Sequence, residues 1–301
     1  MRRMAYVLDL NGRLAPTARA AAGERLEKGA AAMRAHAQAG DPVEAVHDAR
    51  KEVKKARALL RLVRPGFDRR TYRRENRTLR DASRTVAHVR DADVMVETID
   101  ALHERFAGQL PAHAFTALRE RLARDAEASR AGASGELGAE LKAALEAVAS
   151  RVPEWPLDGA GWPDARKGVA RAYRRGRKAF KAADADPSAE KLHEWRKRVK
   201  DLWYHERLLK RAWPAVLSAQ ADEAHALADL LGDDHDLAVL ADRLREDPAT
   251  EHADEVLELI RHRREELLAQ ARALGRRVYA EKPKPFARRL KRYMRSAVAT
   301  E

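Results

Sequence analysis

The chain has 301 residues, no cysteine, 45% hydrophobic and only 5% aromatic residues, and a net charge of +13 from 60 Lys+Arg against 47 Asp+Glu. Lack of thiols excludes disulfides, thiolate nucleophiles and Cys-ligated zinc and fits a cytoplasmic protein, while no run approaches the roughly 18 apolar residues of a membrane span. The excess of cations favours an anionic partner, and the aromatic-poor, alanine-rich composition favours helix packed on helix.

The N-terminal "MRRMAYVLDLNGRLAP" has no long apolar run and no cleavage pattern, so no signal peptide is expected. "YVLDL" alternates as a short extended piece does, and Asn11-Gly12 reads as a turn. A helix is predicted from about 16 to 39. The next, 42 to 64, starts with Asp41 as N-cap, Pro42 in the first position and Glu44 closing a capping box, and stops at Pro65-Gly66. At about 100° per residue, His47, Arg50, Lys51, Lys54, Arg57 and Arg61 share roughly a third of its circumference. Val46, Ala49, Val53, Ala56, Leu60 and Val63 lie opposite. Only Glu52 interrupts the cations after Asp48. Like charges at i, i+4 repel, so the face reads as one that a polyanion relieves rather than as an ordinary solvated face.

Another helix begins near Asp68 and runs through "RRTYRRENRTLRDASRTVAHVRDADVM". Its Arg69, Arg73, Arg77, Arg80 and Arg84 fall within about 80° of one another, opposite Tyr72, Leu79, Val86 and Val89. Helices at about 92–107, 111–131 and 139–150 follow, with Gly132, Gly135 and Gly138 loosening the chain between the last two. Residues 151–164, "RVPEWPLDGAGWPD", carry three prolines, two glycines and two tryptophans and mark the boundary between a first half, 1–150, and a second, 165–301. Further helices are predicted at 164–184, 187–212, 214–232, 234–246 and 250–280, with a short basic one at 285–297. Lys167, Arg171, Arg174, Arg175, Lys178 and Lys181 share a face opposite Val169, Tyr173 and Phe180. Trp155, Trp162, Trp195 and Trp213 are expected to anchor core or linker. Charge is segregated: residues 50–90 hold 15 Lys+Arg against 4 Asp+Glu, and 218–258 hold 2 against 13, so the basic helices are expected to face each other.

The two halves repeat. Aligned on the histidines, "VHDARKEVKKARALLR" returns as "LHEWRKRVKDLWYHER": His47 meets His193, Arg50 meets Arg196, Lys51 meets Lys197, Lys54 meets Lys200 and Arg61 meets Arg207. Tyr204 lies at the edge of the second basic face. Some forty residues on, each copy reaches an acidic tetrad, "RDAD" at 90–93 and "DDHD" at 233–236. Two such halves are expected to pack about a pseudo-two-fold axis, so that the two basic faces make one groove.

At "VHDARKEVKKAR" and "LHEWRKRVKDL" the chain resembles the paired His-x-x-Arg helices of the CHAD family, the conserved histidine α-helical domains. The resemblance covers nearly the whole chain. It implies an all-α fold of two pseudo-two-fold-related four-helix bundles with a central basic groove or tunnel. It also implies binding of inorganic polyphosphate, often at polyphosphate granules, falling on His47, Arg50, Lys51, Lys54, His193, Arg196, Lys197 and Lys200. The Glu-x-Glu-x-Lys signature of the CYTH triphosphatase domain, which often precedes CHAD domains, is absent from this N-terminus. Binding and no hydrolysis is therefore expected, with no cofactor and no metal.

The basic stripes suit a naked chain of phosphates, which asks for long cations and no base-reading code. His47 and His193 are expected to donate to phosphate in their protonated form. Two rivals remain at this stage. Nucleic acid would find enough cations for weak binding, but few aromatics to stack on. A metal-dependent His-Asp phosphohydrolase would use His47-Asp48 and His235-Asp236, yet Asp233, Asp234 and Asp236 read more simply as a helix N-terminus.

Overall fold

The computed structural model describes residues 6–39, 42–132, 136–246 and 252–299. Among them the fold is all-α, with no strand. In the first half α1 spans Leu14–Ala39, α2 Pro42–Val63, α3 Arg69–Thr85, α4 Ala87–Arg105, α5 Ala112–Gly132 and α6 Glu136–Arg151. In the second, α7 spans Trp162–Ala185, α8 Ala189–Leu208, α9 Pro214–Glu246, α10 Ala253–Val278 and α11 Pro283–Ala299. The expected capping box of Asp41 with Glu44 lies outside the described residues.

The apolar faces read from periodicity are the buried ones. Val46, Ala49, Val53, Ala56, Leu60 and Val63 of α2 are all buried. The N-terminal piece is extended but pairs with no strand; it is a strap. Tyr6, Leu8 and Leu10, one side of the alternation, are buried. Leu8 donates its N–H to the Leu208 carbonyl at 2.7 Å, and Tyr6 donates its hydroxyl to the Lys55 carbonyl at 2.7 Å. The strap thus ties the end of α8 to α2.

Two apolar cores form, and each draws on helices far apart in the chain. The larger collects the strap, α1 to α3, α6 to α8 and the first part of α9. The smaller joins Ile99, Leu102 and Phe106 of α4 and Phe115 and Leu118 of α5 to Leu240 and Leu244 of α9 and Ile260 of α10. Residues 151–164 also belong to the packed body, since Val152, Trp155 and Leu157 are buried. One close approach sets the position of α2 against α7: a Cβ at Gly168 would lie 1.9 Å from the Leu62 carbonyl oxygen, so only glycine lets the two backbones meet there. On the far side of α3, fully buried Glu75 takes two bonds from Arg151 of α6, at 3.0 and 2.8 Å. A buried carboxylate survives only with such charge-assisted donors.

Four expectations need correction. The helices predicted at 214–232 and 234–246 are one helix, α9. Gly232 costs roughly 1 kcal/mol inside a helix but does not stop it when packing holds both sides. The acidic tetrad 233–236 is therefore mid-helix and not a helix N-terminus. The arginine-rich helix ends at Thr85, and Val86 (φ −102°, ψ 12°) turns the chain into α4, which begins at Ala87 and not near 92. Helix α8 ends at Leu208, followed by a separate 3-10 turn at Lys210–Ala212. Finally, Trp155 and Trp195 are core anchors as expected, but Trp213 is 47% exposed and only rests edge-on against Tyr293 of α11, 4.7 Å away.

Candidate functional site

The two repeated helices pack on each other. Where they cross, the buried His205 of α8 donates from Nε2 to the Ala58 carbonyl of α2 at 2.9 Å. Burial pushes His205 down to about 4, so this imidazole stays neutral and serves the crossing. Beside it Arg61 of α2 pairs with Asp201 of α8 at 2.7 Å, and Asp201 also accepts from Arg198 at 2.8 Å.

N-terminal to that crossing on both helices, Arg50 and Lys54 converge with Arg196 and Lys200. Burial, then Lys200, Arg50 and Arg196, push the Lys54 ammonium down to about 8. Burial and then Arg196 push Lys200 to about 8 as well. Lys54 has an exposed surface, and Lys200 is partly exposed. Both amines thus keep contact with water while burial and neighbouring cations work against their charge. Asp91 of α4 and Asp229 and Asp236 of α9 act on these amines in the opposite sense. Arg196 passes over Gly232, where a Cβ would come within 2.9 Å of its guanidinium, and its buried Nε has no hydrogen-bond partner among the described residues.

The cations continue in two directions. Towards the end of α8, Tyr204 meets Tyr6 edge to face with centroids 5.9 Å apart. Burial raises Tyr204 to about 12, against the pull of Arg207 and Arg61. The Arg207 guanidinium lies 5.2 Å from the Trp203 ring and 5.8 Å from that of Tyr6. Towards α3 and α7, Arg57 donates to Asn76 at 3.2 Å and is pushed to about 10 by burial and Arg61. Arg80 of α3 adds to that field while pairing with Asp81 at 2.7 Å. Arg171 is lowered by burial and Arg64, and Arg175 by burial and Arg198. Tyr72 lies among them, 4.7 Å below the Arg64 guanidinium.

Of the residues singled out by sequence, the structure thus brings Arg50, Lys54, Arg57, Arg61, Arg171, Arg175, Arg196, Lys200, Tyr204 and Arg207 into one connected field, with exposed Arg80 at its margin. Others stay on outer faces. Arg69, Arg73, Arg77, Arg84, Arg174, Lys178 and Lys197 are exposed. Lys51 pairs with Asp48 at 2.6 Å and Lys167 with Asp164 at 3.0 Å. His47 is half-buried on α2, one turn before Arg50.

In the free protein the surroundings of His193 work against the protonated form expected of it beside phosphate. Its ring lies 4.7 Å from that of His235 on α9, and its Nδ1 is buried without a hydrogen-bond partner among the described residues. Burial, then Lys197, His235 and Arg196, push it to about 4. Burial also raises Asp236 and Asp233, and buried Asp234 pairs with Arg264 at 2.9 Å. Among the described residues no group of three or more His, Asp or Glu is arranged to hold a metal ion.

Sequence reading missed Tyr6, Asn76, Arg64, Arg198 and Asp201. The alternation of "YVLDL" signalled that Tyr6 has a buried side, and Asp201 is the one acid between Lys197 and Tyr204. Nothing local announced Asn76.

An all-helical protein in which two repeated, cation-rich helices pack on each other is the class that the fold defines. The CHAD domain model matches residues 23–245, and the chain belongs to that family. Among solved structures, PptA from Streptomyces chartreusis shares the fold: it superposes with a TM-score of 0.62 at 18% identity, covering 90% of this chain and 100% of that one. No curated protein matches the chain.

Proposed function

We propose that the protein binds inorganic polyphosphate along the cationic side chains of α2 and α8 and does not hydrolyse it. In this reading the halves 1–150 and 165–301, joined by 151–164, are related by a pseudo-two-fold axis, and the protein works in the cytoplasm on polyphosphate granules. The observation that carries the reading is the convergence of Arg50, Lys54, Arg196 and Lys200 from matched positions of the repeat. Like charges brought together repel, and burial with neighbouring cations pushes Lys54 and Lys200 down to about 8. A polyanion offsets that repulsion. Polyphosphate offers about one negative charge per phosphate and no base to read; Arg forks grip its oxygens and Lys follows as a mobile charge. Membership of the CHAD family supports the same ligand.

Titration with long polyphosphate, short polyphosphate, DNA and heparin at two salt concentrations tests it. Long polyphosphate should bind tightest at equal charge and displace DNA, and its affinity should fall steeply with salt as counterions are released. DNA that polyphosphate fails to displace would sink the proposal. Phosphate release from bound polyphosphate would overturn its non-hydrolytic part.

A further inference from the structure

We propose that a cavity in the second half of the chain, with the Glu206 carboxyl in its lining, binds small aliphatic amines as their ammonium ions. The cavity lies among α7, the end of α8, the first part of α9, the turn between α10 and α11, and α11 itself. It measures about 360 Å³, within the roughly 300–1,000 Å³ of small-molecule pockets. Packing fixes its frame. Tyr173 of α7 donates its hydroxyl to the Glu281 carbonyl at 2.9 Å, and Arg177 donates from Nε to the Tyr279 carbonyl at 3.1 Å. The rings of Tyr173 and Phe286 stack with centroids 3.9 Å apart. These contacts fasten α7 to the turn and to α11.

The lining holds the carboxylates of Glu206, Glu223 and Glu281 and the guanidinium groups of Arg277 and Arg289. They are not equivalent. Arg289 donates to Glu281 from Nε at 3.1 Å and from Nη2 at 2.8 Å, and to the Tyr293 hydroxyl at 3.2 Å. Glu281 and Arg289 therefore occupy each other. Glu223 and Arg277 are exposed. Glu206 is only 5% exposed, and its Oε2 is buried with no hydrogen-bond partner among the described residues. Buried polar atoms are nearly always paired, so one left bare in the wall of a cavity calls for a donor from outside. A charged donor makes the strongest bond to a carboxyl oxygen. An ammonium carries three donors on a compact head, and Ala219, Val278, Ala280 and Phe286 give a short methylene chain apolar surface to lie on. Glu223 supplies a carboxylate for a second ammonium, which favours a diamine. An anion would meet Glu206 and find Arg289 already engaged.

In the free protein burial pushes Glu206 up to about 8, with Arg289 of α11 acting the other way. The other charged groups of the cavity are Arg277 of α10, Glu281 of the turn and Glu223 of α9. Tyr279, which burial and then Glu206 hold well above the usual phenol range, and Tyr173, pushed to about 12 by burial and then Glu281, both stay neutral. An ammonium ion favours the carboxylate form of Glu206, so its binding must expel a proton.

The test is titration calorimetry of the full chain with 1,4-diaminobutane in low salt, in two buffers of different ionisation enthalpy. One amine should bind per chain and release close to one proton at about pH 7, with affinity rising towards about pH 8 and then levelling. Glu206→Gln should weaken binding at least about tenfold and abolish the proton release. Because the carboxyl is mostly neutral in the free protein, the amide should leave the denaturation midpoint nearly unchanged. Ala219→Trp, which fills the cavity from an exposed position of α9, should block binding without removing a charge. No binding, binding that survives either substitution, or binding without proton release overturns the proposal. Magnesium ions that displace the amine at equal concentration would make this an inorganic-cation site and overturn it as well. The inference does not rest on polyphosphate binding, and each result holds whether or not the chain binds polyphosphate.

Discussion

Two basic regions of this molecule look alike in sequence and differ in kind. The α3 stripe presents Arg69, Arg73, Arg77, Arg80 and Arg84 on one exposed face, where neighbouring charges are screened by solvent and salt. The α2–α8 cluster holds fewer cations, but it desolvates them and sets them against one another across a helix–helix contact. The difference teaches that a count of cations along one helix does not say which of them crowd one another; that depends on the helix packed alongside. An exposed arginine is already well solvated and gains little from a phosphate. A crowded, half-dry lysine gains more.

The largest expected effect removes the frame that creates the contrast. Gly168→Ala drives a methyl into the Leu62 carbonyl and should lower stability by about 3 kcal/mol or more, read from the denaturation midpoint. If stability is unchanged, α2 and α7 are not held at that distance. Next is the cluster itself. Lys54→Glu/Lys200→Glu should weaken polyphosphate binding by on the order of a hundredfold or more at low salt, since each site loses a charge-assisted contact and gains a repulsive one. A loss no larger than that from two substitutions on α3 would erase the distinction.

A smaller effect comes from pH. Both cluster lysines sit near 8 in the free protein, below the ordinary lysine value, and a bound anion favours their charged forms. Binding must then take up protons as pH rises past about 8, and affinity must fall through that window. Calorimetry in two buffers of different ionisation enthalpy would detect the uptake. With His193 near 4, His193→Ala should leave the pH profile between about 6 and 7.5 unchanged. The smallest change is expected on the outer stripe: Arg73→Gln/Arg77→Gln should weaken binding about two- to threefold and flatten the salt dependence slightly.

Much of the fold was legible because amphipathic period and burial are the same fact seen twice. The apolar positions of α2, and Val169, Tyr173 and Phe180 of α7, are buried as their spacing requires. The matched His-x-x-Arg-Lys runs pointed to the α2–α8 pair. Local signals failed where packing outweighed them. Gly232 read as a break and lies inside α9, because the turn around it is held by neighbours and because Arg196 needs the space a side chain would fill. Asp233 to Asp236 read as a helix start for the same reason. His193 read as a proton donor beside phosphate because an isolated imidazole titrates near neutrality; in the free protein burial and the positive charges of Lys197, His235 and Arg196 work against its charged form.

By itself, then, the sequence determined the helices, their buried sides, the internal repeat and the abundance of cations, since each depends on spacing along one chain. Only the tertiary structure decided which cations act together. Desolvation and mutual repulsion depend on what surrounds a side chain through space, and for Lys54 those surroundings arrive from a helix 146 residues further along.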